Sequence, residues 1–317
     1  MDANDSLNNF DYEGFMAREF PHPKGVYPEI GRLLEHFNKI TGLLMDCALQ
    51  SLKLAQSDQD KESVLHTNTR YTIVCNFRLR TINLIKVFSE ILDIEGNAIF
   101  DEGTANVIAR SLLESYLVYF RLYNGCGNDK EIQELYFNLY DLSSVLHFVK
   151  FAKSLVKIDQ NKHNEINLKG HIKKLICDTT KNHKFRALPS GIQDSIRNIE
   201  AGKHDYLSFI NFNKLIRESP LPTQFITSYY SYASSFAHSE GFSSSVSQMV
   251  FESKERWKAI NEMLKFRLVY VCLAVSSQFF ISYTEYDKTQ LEDEREKDVW
   301  ETLSLCNYYL EALNHNN

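Results

Sequence analysis

The amino-acid sequence predicts an all-α protein, built from long antiparallel helices that form an extended helical bundle. Glycine and proline, which interrupt regular structure, occur only 12 and 6 times in 317 residues, so the chain has few places to turn. Apolar residues also recur three and four positions apart over long stretches, which is the spacing of one helix face. Hydrophobic residues make up 44% of the chain and charged residues 24%, a balance that is typical of globular proteins with a substantial core.

Residues 1–27 are expected to form an acidic N-terminal arm, because five acids and no apolar run precede residue 21. The same features argue against a secretory signal peptide. Helix one is expected to begin near Pro28, which suits a first helical turn, and to end near Gln56.

Helix two is predicted over about 62–94, with Gly96 ending it. Its stretch from Tyr71 to Leu79 alternates between apolar and polar residues as a strand does, but the long uninterrupted context favours a helix. No β element is expected.

Helix three is predicted from about Thr104 to Asn124-Gly125, and helix four from about Asp129 to Ile158. Short links between long helices are typical of an antiparallel bundle. We therefore expect one helical domain over 28–317, in which 28–158 and 206–284 form the core bundle.

The remaining elements are an insertion and several further helices. Residues 159–205 are predicted to form a basic insertion with two short helices, and 293–313 a C-terminal helix. The helix predicted at 252–283 is apolar on more than one face, so we expect it to be the most buried element and to contact helices two and three. Two further helices are predicted at 206–217 and 223–236.

Several functional classes lack sequence support. The net charge is −6, so no global attraction to nucleic acid or an anionic membrane is expected. The six cysteines form no C-x-x-C pair, and the chain has no P-loop, dinucleotide fingerprint or H-E-x-x-H motif. The longest apolar stretch, 266–281, looks too short and too polar to span a bilayer. These observations predict a soluble cytoplasmic protein with no metal, no cofactor and no membrane contact.

Two polar groups interrupt apolar helical stretches. Arg110 and Glu114 stand four residues apart on helix three, where they form either an ordinary surface ion pair or a buried pair that marks a site. Farther along, Ser235 and His238 lie near the end of a helix rich in tyrosine and serine. That region is either a small-residue packing strip with His238 as a helix cap or a site in which His238 acts as a general acid, base or ligand donor. A Ser–His nucleophile pair lacks an identifiable third, orienting residue.

These two motifs, Arg-x-x-x-Glu and Ser-x-x-His, resemble a family of bacterial helical proteins, the domain-of-unknown-function family 5677, over roughly residues 30–285. That family resembles the HEPN group of helical domains, the higher eukaryote and prokaryote nucleotide-binding proteins. The resemblance implies an RNase effector of a toxin or antiphage defence system, or an inactive scaffold. It also leads us to expect that Arg110, Glu114, Ser235 and His238 lie close together.

RNase members of the HEPN group are recognised by Arg, four to six residues, then His. The chain departs from this pattern at His238, because residues 231–233 are Ser, Tyr and Ala. One literal match begins at Arg197 and ends at His204, and its Asn198 resembles the polar residue that the group prefers. About one such match is expected by chance. Arg197, His204 and His238 are the candidate catalytic residues.

Basic residues are concentrated in one stretch. Residues 150–186 hold ten Lys and Arg against three acids, and Lys169, Lys173 and Lys174 cluster on one predicted helix. Such a stretch is either a solvated face or the contact surface for a nucleic acid or an acidic partner.

Two functions remain, and whether the protein is an enzyme stays open. The first is a nucleic-acid-associated protein or RNase, with RNA as partner and Arg197 and His204 meeting a second copy across a dimer cleft. The second is a non-catalytic interaction module that binds a protein or small ligand near Arg110 and His238.

Overall fold

The structure is a computed structural model that describes residues 30–57, 61–89, 92–94, 97–127, 129–155, 162–237, 254–287 and 293–314. Within these residues it confirms the all-α fold class. Ten α-helices carry the fold: α1 (Ile30–Ser57), α2 (Lys61–Ser89), α3 (Glu102–Leu122), α4 (Lys130–Leu155), α5 (Lys162–Lys181), α6 (Ser190–Glu200), α7 (Phe212–Glu218), α8 (Thr223–Ala237), α9 (Lys254–Asp287) and α10 (Asp293–Asn314). A 3-10 turn, Phe185–Ala187, precedes α6.

A short β-hairpin follows α2, where the sequence predicted five more residues of helix, to residue 94, and no β element. Strand β1 (Leu92–Ile94) pairs antiparallel with β2 (Asn97–Ile99), and Asp93 lies opposite Ala98. The sequence between the strands is Glu95-Gly96, and a two-residue connection containing glycine is typical of a hairpin. The prediction that Gly96 ends helix two is therefore wrong, because α2 ends at Ser89.

The chain divides into two compact units. Unit one comprises residues 1–119 and 216–317, and unit two comprises residues 120–215. The sequence instead predicted one domain with an insertion at 159–205. The difference arises in α4: its apolar stripe from Leu135 to Leu146 packs with residues of α5 and α6 in one core cluster, so α4 belongs to unit two.

Helix α9 is the centre of unit one. Every residue from Val271 to Phe280 is buried. The ring of Phe279 lies 5.0 Å from that of Phe77 in α2 and 4.6 Å from that of Tyr119 in α3. These ring contacts show that α9 touches helices two and three as predicted, but α9 packs most extensively against α1 and α10, which the sequence did not predict.

One stretch within the described residues, Leu264–Asp287, is long and apolar enough to cross a membrane, and 67% of its most apolar window is buried inside the protein. The expectation that this region is too short and too polar to span a bilayer therefore fails on both length and composition. Its burial among the other helices of unit one is what identifies it as a core helix.

Unit two has its own apolar core. Leu139 and Leu142 of α4 are fully buried with Ile196 of α6. At one end of the unit, the Lys184 Nζ atom lies 2.8 Å from an Asp129 carboxylate oxygen. Asp129 also accepts a hydrogen bond from the backbone N–H of Ile132, so it caps the start of α4. Helix α5 is anchored in this core through Leu175 and Ile176.

Candidate functional site

Arg110, Glu114 and Tyr230 form a closed, half-buried triangle between α3 and α8. The Nε atom of Arg110 donates to a Glu114 carboxylate oxygen at 2.9 Å, and the Tyr230 hydroxyl donates to that same oxygen at 3.0 Å. The Arg110 guanidinium also lies 4.9 Å from the centre of the Tyr230 ring, which places the cation over the aromatic face. The pair is therefore a link between two helices, which distinguishes it from an ordinary surface i,i+4 ion pair.

A second polar group lies at the first turn of α3. One Glu102 carboxylate oxygen accepts a hydrogen bond from the Tyr232 hydroxyl and a long one from Asn106 at 3.4 Å. Its other oxygen is buried and has no hydrogen-bond partner among the described residues. Burial raises the pKa of Glu102, although its hydrogen bonds and the charge of Arg267 oppose that shift.

Two side chains complete the surroundings of Glu102. The Tyr229 hydroxyl is buried and, within the part of the chain that the structure describes, has no hydrogen-bond partner. Burial raises the pKa of Tyr229 well above its ordinary value, and the nearby Glu102 carboxylate adds to the shift. The Arg267 guanidinium of α9 lies 5.5 Å from the centre of the Tyr232 ring. Two buried polar atoms that lack hydrogen-bond partners among the described residues thus lie near each other, whereas buried polar groups ordinarily have partners.

The serines of α8 are engaged with their own helix. Ser234 donates to the Tyr230 carbonyl at 2.6 Å, and Ser235 donates to the Tyr232 carbonyl at 2.8 Å. Such bonds to the preceding turn are common for serine in helices. These hydroxyls therefore satisfy local backbone groups, and the geometry gives no support to a serine nucleophile.

The predicted cluster of Arg110, Glu114, Ser235 and His238 is placed as follows. Arg110 and Glu114 meet each other and reach α8 through Tyr230, whereas the described hydrogen bond of Ser235 stays within α8. His238 lies outside the described residues.

Sequence reasoning missed Glu102, Tyr230 and Tyr232. The available signal was the Tyr229-Tyr230-Ser231-Tyr232 run, because several buried phenols in one short helix need polar partners.

Arg197 and His204 occupy the end of α6 in unit two. The Arg197 guanidinium is exposed and donates to Asp194 at 3.0 Å, one turn earlier in the helix. Beyond the helix end, Gly202 adopts a positive φ of 69° and the backbone N–H of His204 donates to the Asn198 carbonyl. The exposed His204 ring lies edge-on to Tyr206, with ring centres 5.5 Å apart. Within the described residues, no hydrogen bond or ring contact joins the side chains of Arg197 and His204.

The three lysines singled out in the sequence lie on α5. Lys169, Lys173 and Lys174 are all exposed, whereas Leu175 and Ile176 of the same helix are buried in the core of unit two. The sequence of unit two contains fifteen Lys and Arg against ten Asp and Glu, a net charge of +5. Since the whole chain carries −6, the rest of the sequence carries −11. A basic unit is thus joined to an acidic one.

Comparison with known proteins finds no relative. No family model matches the chain, and no curated protein and no solved structure is detectably similar to it. The resemblance to the HEPN-like family rests on the short motifs quoted from the sequence, so the function has to be inferred from charge and geometry.

Proposed function

We propose that the chain is a nucleic-acid-associated protein that binds RNA through the exposed lysines of α5. The observation that carries this proposal is the placement of Lys169, Lys173 and Lys174 on the solvent side of a helix whose apolar side chains are anchored in the core of unit two. Exposed lysines on one helix face suit a polyanion, because contacts to phosphates supply most of the non-specific affinity for nucleic acids.

The charge division between the units supports the same proposal. A chain of net charge −6 repels a polyanion as a whole, so binding needs a local excess of positive charge. Unit two supplies that excess with a net charge of +5. Charge asymmetry between parts of one chain is a recognised sign of nucleic-acid interaction.

The motif from Arg197 to His204 lies in this same basic unit. If the RNase chemistry implied by the HEPN-like resemblance is present, these exposed residues are its candidates, and they act on RNA that the lysines hold. The Arg197–Asp194 ion pair is exposed, with side-chain exposures of 61% and 63%. Exposed pairs contribute little free energy, so a phosphate can displace Asp194 at small cost. The bacterial defence role and the cytoplasmic location belong to this proposal.

Titration of labelled single-stranded RNA at several salt concentrations tests the binding. The affinity should fall with salt with a log–log slope of roughly −0.7 per phosphate contact. Replacing Lys169, Lys173 and Lys174 with Gln should weaken binding to all sequences alike and flatten the slope by about 2 units.

The matched control replaces three exposed lysines of unit one, Lys53, Lys86 and Lys297, with Gln. It makes the same change in net charge and should leave the slope unchanged. Absence of binding at low salt, or equal effects of the two triple variants, would reject the proposal.

A second candidate function is an interaction module with a ligand site in unit one. The specific observation is the buried oxygen of Glu102 and the buried Tyr229 hydroxyl, which lack partners among the described residues. Native mass spectrometry of protein purified from its own cells tests this candidate. A bound small molecule that is lost from Glu102→Gln would support it, and a bare polypeptide mass would count against a tightly held ligand.

A further inference from the structure

The outward face of α2 carries no charged side chain over five helical turns. From position 65 to position 82 the exposed residues are Leu65, Asn68, Thr72, Asn76, Leu79 and Ile82. Leu65 and Leu79 are 56% and 60% exposed. The solvent face of a helix ordinarily carries charged residues. This face instead has the composition of a helix–helix contact.

The three arginines of this part of α2 all contact neighbouring helices. Arg70 is buried and pairs with Asp287 of α9. Arg78 donates to the Thr41 hydroxyl of α1 at 2.8 Å, and Arg80 donates to the Ser115 hydroxyl of α3 at 2.5 Å. On the outward face itself, the Thr72 hydroxyl already donates to the Asn68 carbonyl at 2.9 Å. These charged side chains of α2 therefore bond to neighbouring helices of unit one. The outward face carries leucine, isoleucine, asparagine and threonine side chains.

From Leu65 to Leu79 the order of exposed residues on this face is symmetric about Thr72, and Ile82 lies outside the symmetric stretch. Leu65 and Leu79 lie seven positions from it on either side, and Asn68 and Asn76 lie four positions from it. If two copies of α2 pair antiparallel about a two-fold axis at Thr72, Leu65 meets Leu79 of the second copy and Asn68 meets Asn76 of the second copy. A two-fold interface requires such self-complementarity, because each patch must fit itself.

We propose that α2 is the interface through which two copies of this chain associate, antiparallel and centred on Thr72. The exposed residues from Leu65 to Ile82 include no cation that could bind a polyanion and no charge that could attract an oppositely charged protein. Two copies of a chain of net charge −6 can meet there without bringing like charges together. The contact from Leu65 to Leu79 is about 21 Å long, at ~1.5 Å per residue. In this contact, a leucine pair lies at each end and the asparagine pairs lie between them. The proposal does not depend on RNA binding.

The molar mass of the full chain, measured by sedimentation equilibrium over a range of concentrations, tests the association. The unaltered chain should form a dimer. Leu79→Glu should raise the dimer dissociation constant at least about 100-fold, because each dimer loses two buried leucines and gains two desolvated carboxylates. The control, Phe148→Glu, changes a residue that is 57% exposed in unit two and should leave the constant unchanged.

Oxidative cross-linking tests the register. Thr72→Cys should form a covalent dimer, because the axis brings position 72 against its own copy, within the ~7 Å between α-carbons that a disulfide needs. Asn83→Cys, exposed on the same helix, stands about 30 Å from its copy in this arrangement and should not exceed the background of the unaltered chain. A monomeric chain, a dimer unaffected by Leu79→Glu, or equal cross-linking at both positions would each overturn the proposal.

Discussion

The Arg70 guanidinium of α2 and the Asp287 carboxylate at the end of α9 meet at 2.7 Å, with side-chain exposures of 6% and 12%. The other Asp287 oxygen accepts a hydrogen bond from Ser51 of α1, and the Ser51 hydroxyl accepts one from Tyr283 at 2.9 Å. Arg70 also lies over the Tyr283 ring. One ion pair thus joins three helices of unit one.

Asp287→Ala should therefore lower the free energy of unfolding by about 3–5 kcal/mol, because it removes the carboxylate that lies 2.7 Å from a buried guanidinium. Urea denaturation followed by circular dichroism measures the change. The control is Asp194→Ala, which removes the exposed partner of Arg197 and should cost less than about 1 kcal/mol. Equal effects of the two variants would show that burial of the Arg70 pair does not matter.

Glu102 should make unit one less stable as the pH rises. Burial raises its pKa in the folded protein above the ordinary value of 4.5, so the folded state binds more protons than the unfolded state just above pH 4.5. Stability that is present below that pH is then lost as the pH rises through the folded pKa. Glu102→Gln should melt at a higher temperature than the unaltered chain at neutral pH, and the difference should vanish toward pH 4. A difference in melting temperature that stays constant from pH 4 to neutral pH would contradict the raised pKa of Glu102.

The link through Tyr230 should be measurable as a coupling energy. Tyr230→Phe removes the hydroxyl that contacts both Glu114 and Arg110, and it should cost about 0.5–1.5 kcal/mol. A double-mutant cycle with Arg110→Met should give a coupling of about 0.5 kcal/mol or more, since the residues share one network. Tyr206→Phe, at a ring that is 51% exposed, is the control. If the effects of the two changes on the free energy of unfolding are strictly additive, Arg110 and Tyr230 are not energetically coupled.

Arg197→Ala and His204→Ala separate binding from cleavage. If the motif cleaves RNA, either change should abolish cleavage of total RNA while most of the affinity remains, because the lysines of α5 supply the phosphate contacts. The chain with Lys169, Lys173 and Lys174 changed to Gln should show the reverse, with weak binding and little processing at low RNA concentration. A cleavage activity that survives both single changes would place the chemistry elsewhere.

The helices were predictable because each long helix repeats apolar residues at three and four positions, and Gly125 marks the end of helix three. The hairpin at Leu92–Ile94 and Asn97–Ile99 was not, since three-residue strands are too short to show an alternation. The separate unit at 120–215 was also missed, because an apolar stripe shows that α4 is buried and does not show against what.

The Arg110–Glu114 contact followed from i,i+4 spacing alone. Its partner Tyr230 lies 116 residues from Glu114 in sequence, and no local pattern encodes such a pairing. The exposed lysines of α5 were identified by the local density of basic residues. That density does not depend on where the helix begins or ends.

Buried phenols on α3, α8 and α9 make tyrosine absorbance a probe of the alkaline unfolding of the core of unit one. Burial raises the pKa of Tyr116, Tyr229 and Tyr283 above the ordinary value of 10.0, so these hydroxyls resist ionisation while the helices stay packed. Above pH 10 the unfolded chain releases protons that the folded chain retains, which drives unfolding. Phenolate absorbance should therefore rise in two stages, a gradual one from exposed tyrosines and an abrupt, time-dependent one when the core opens.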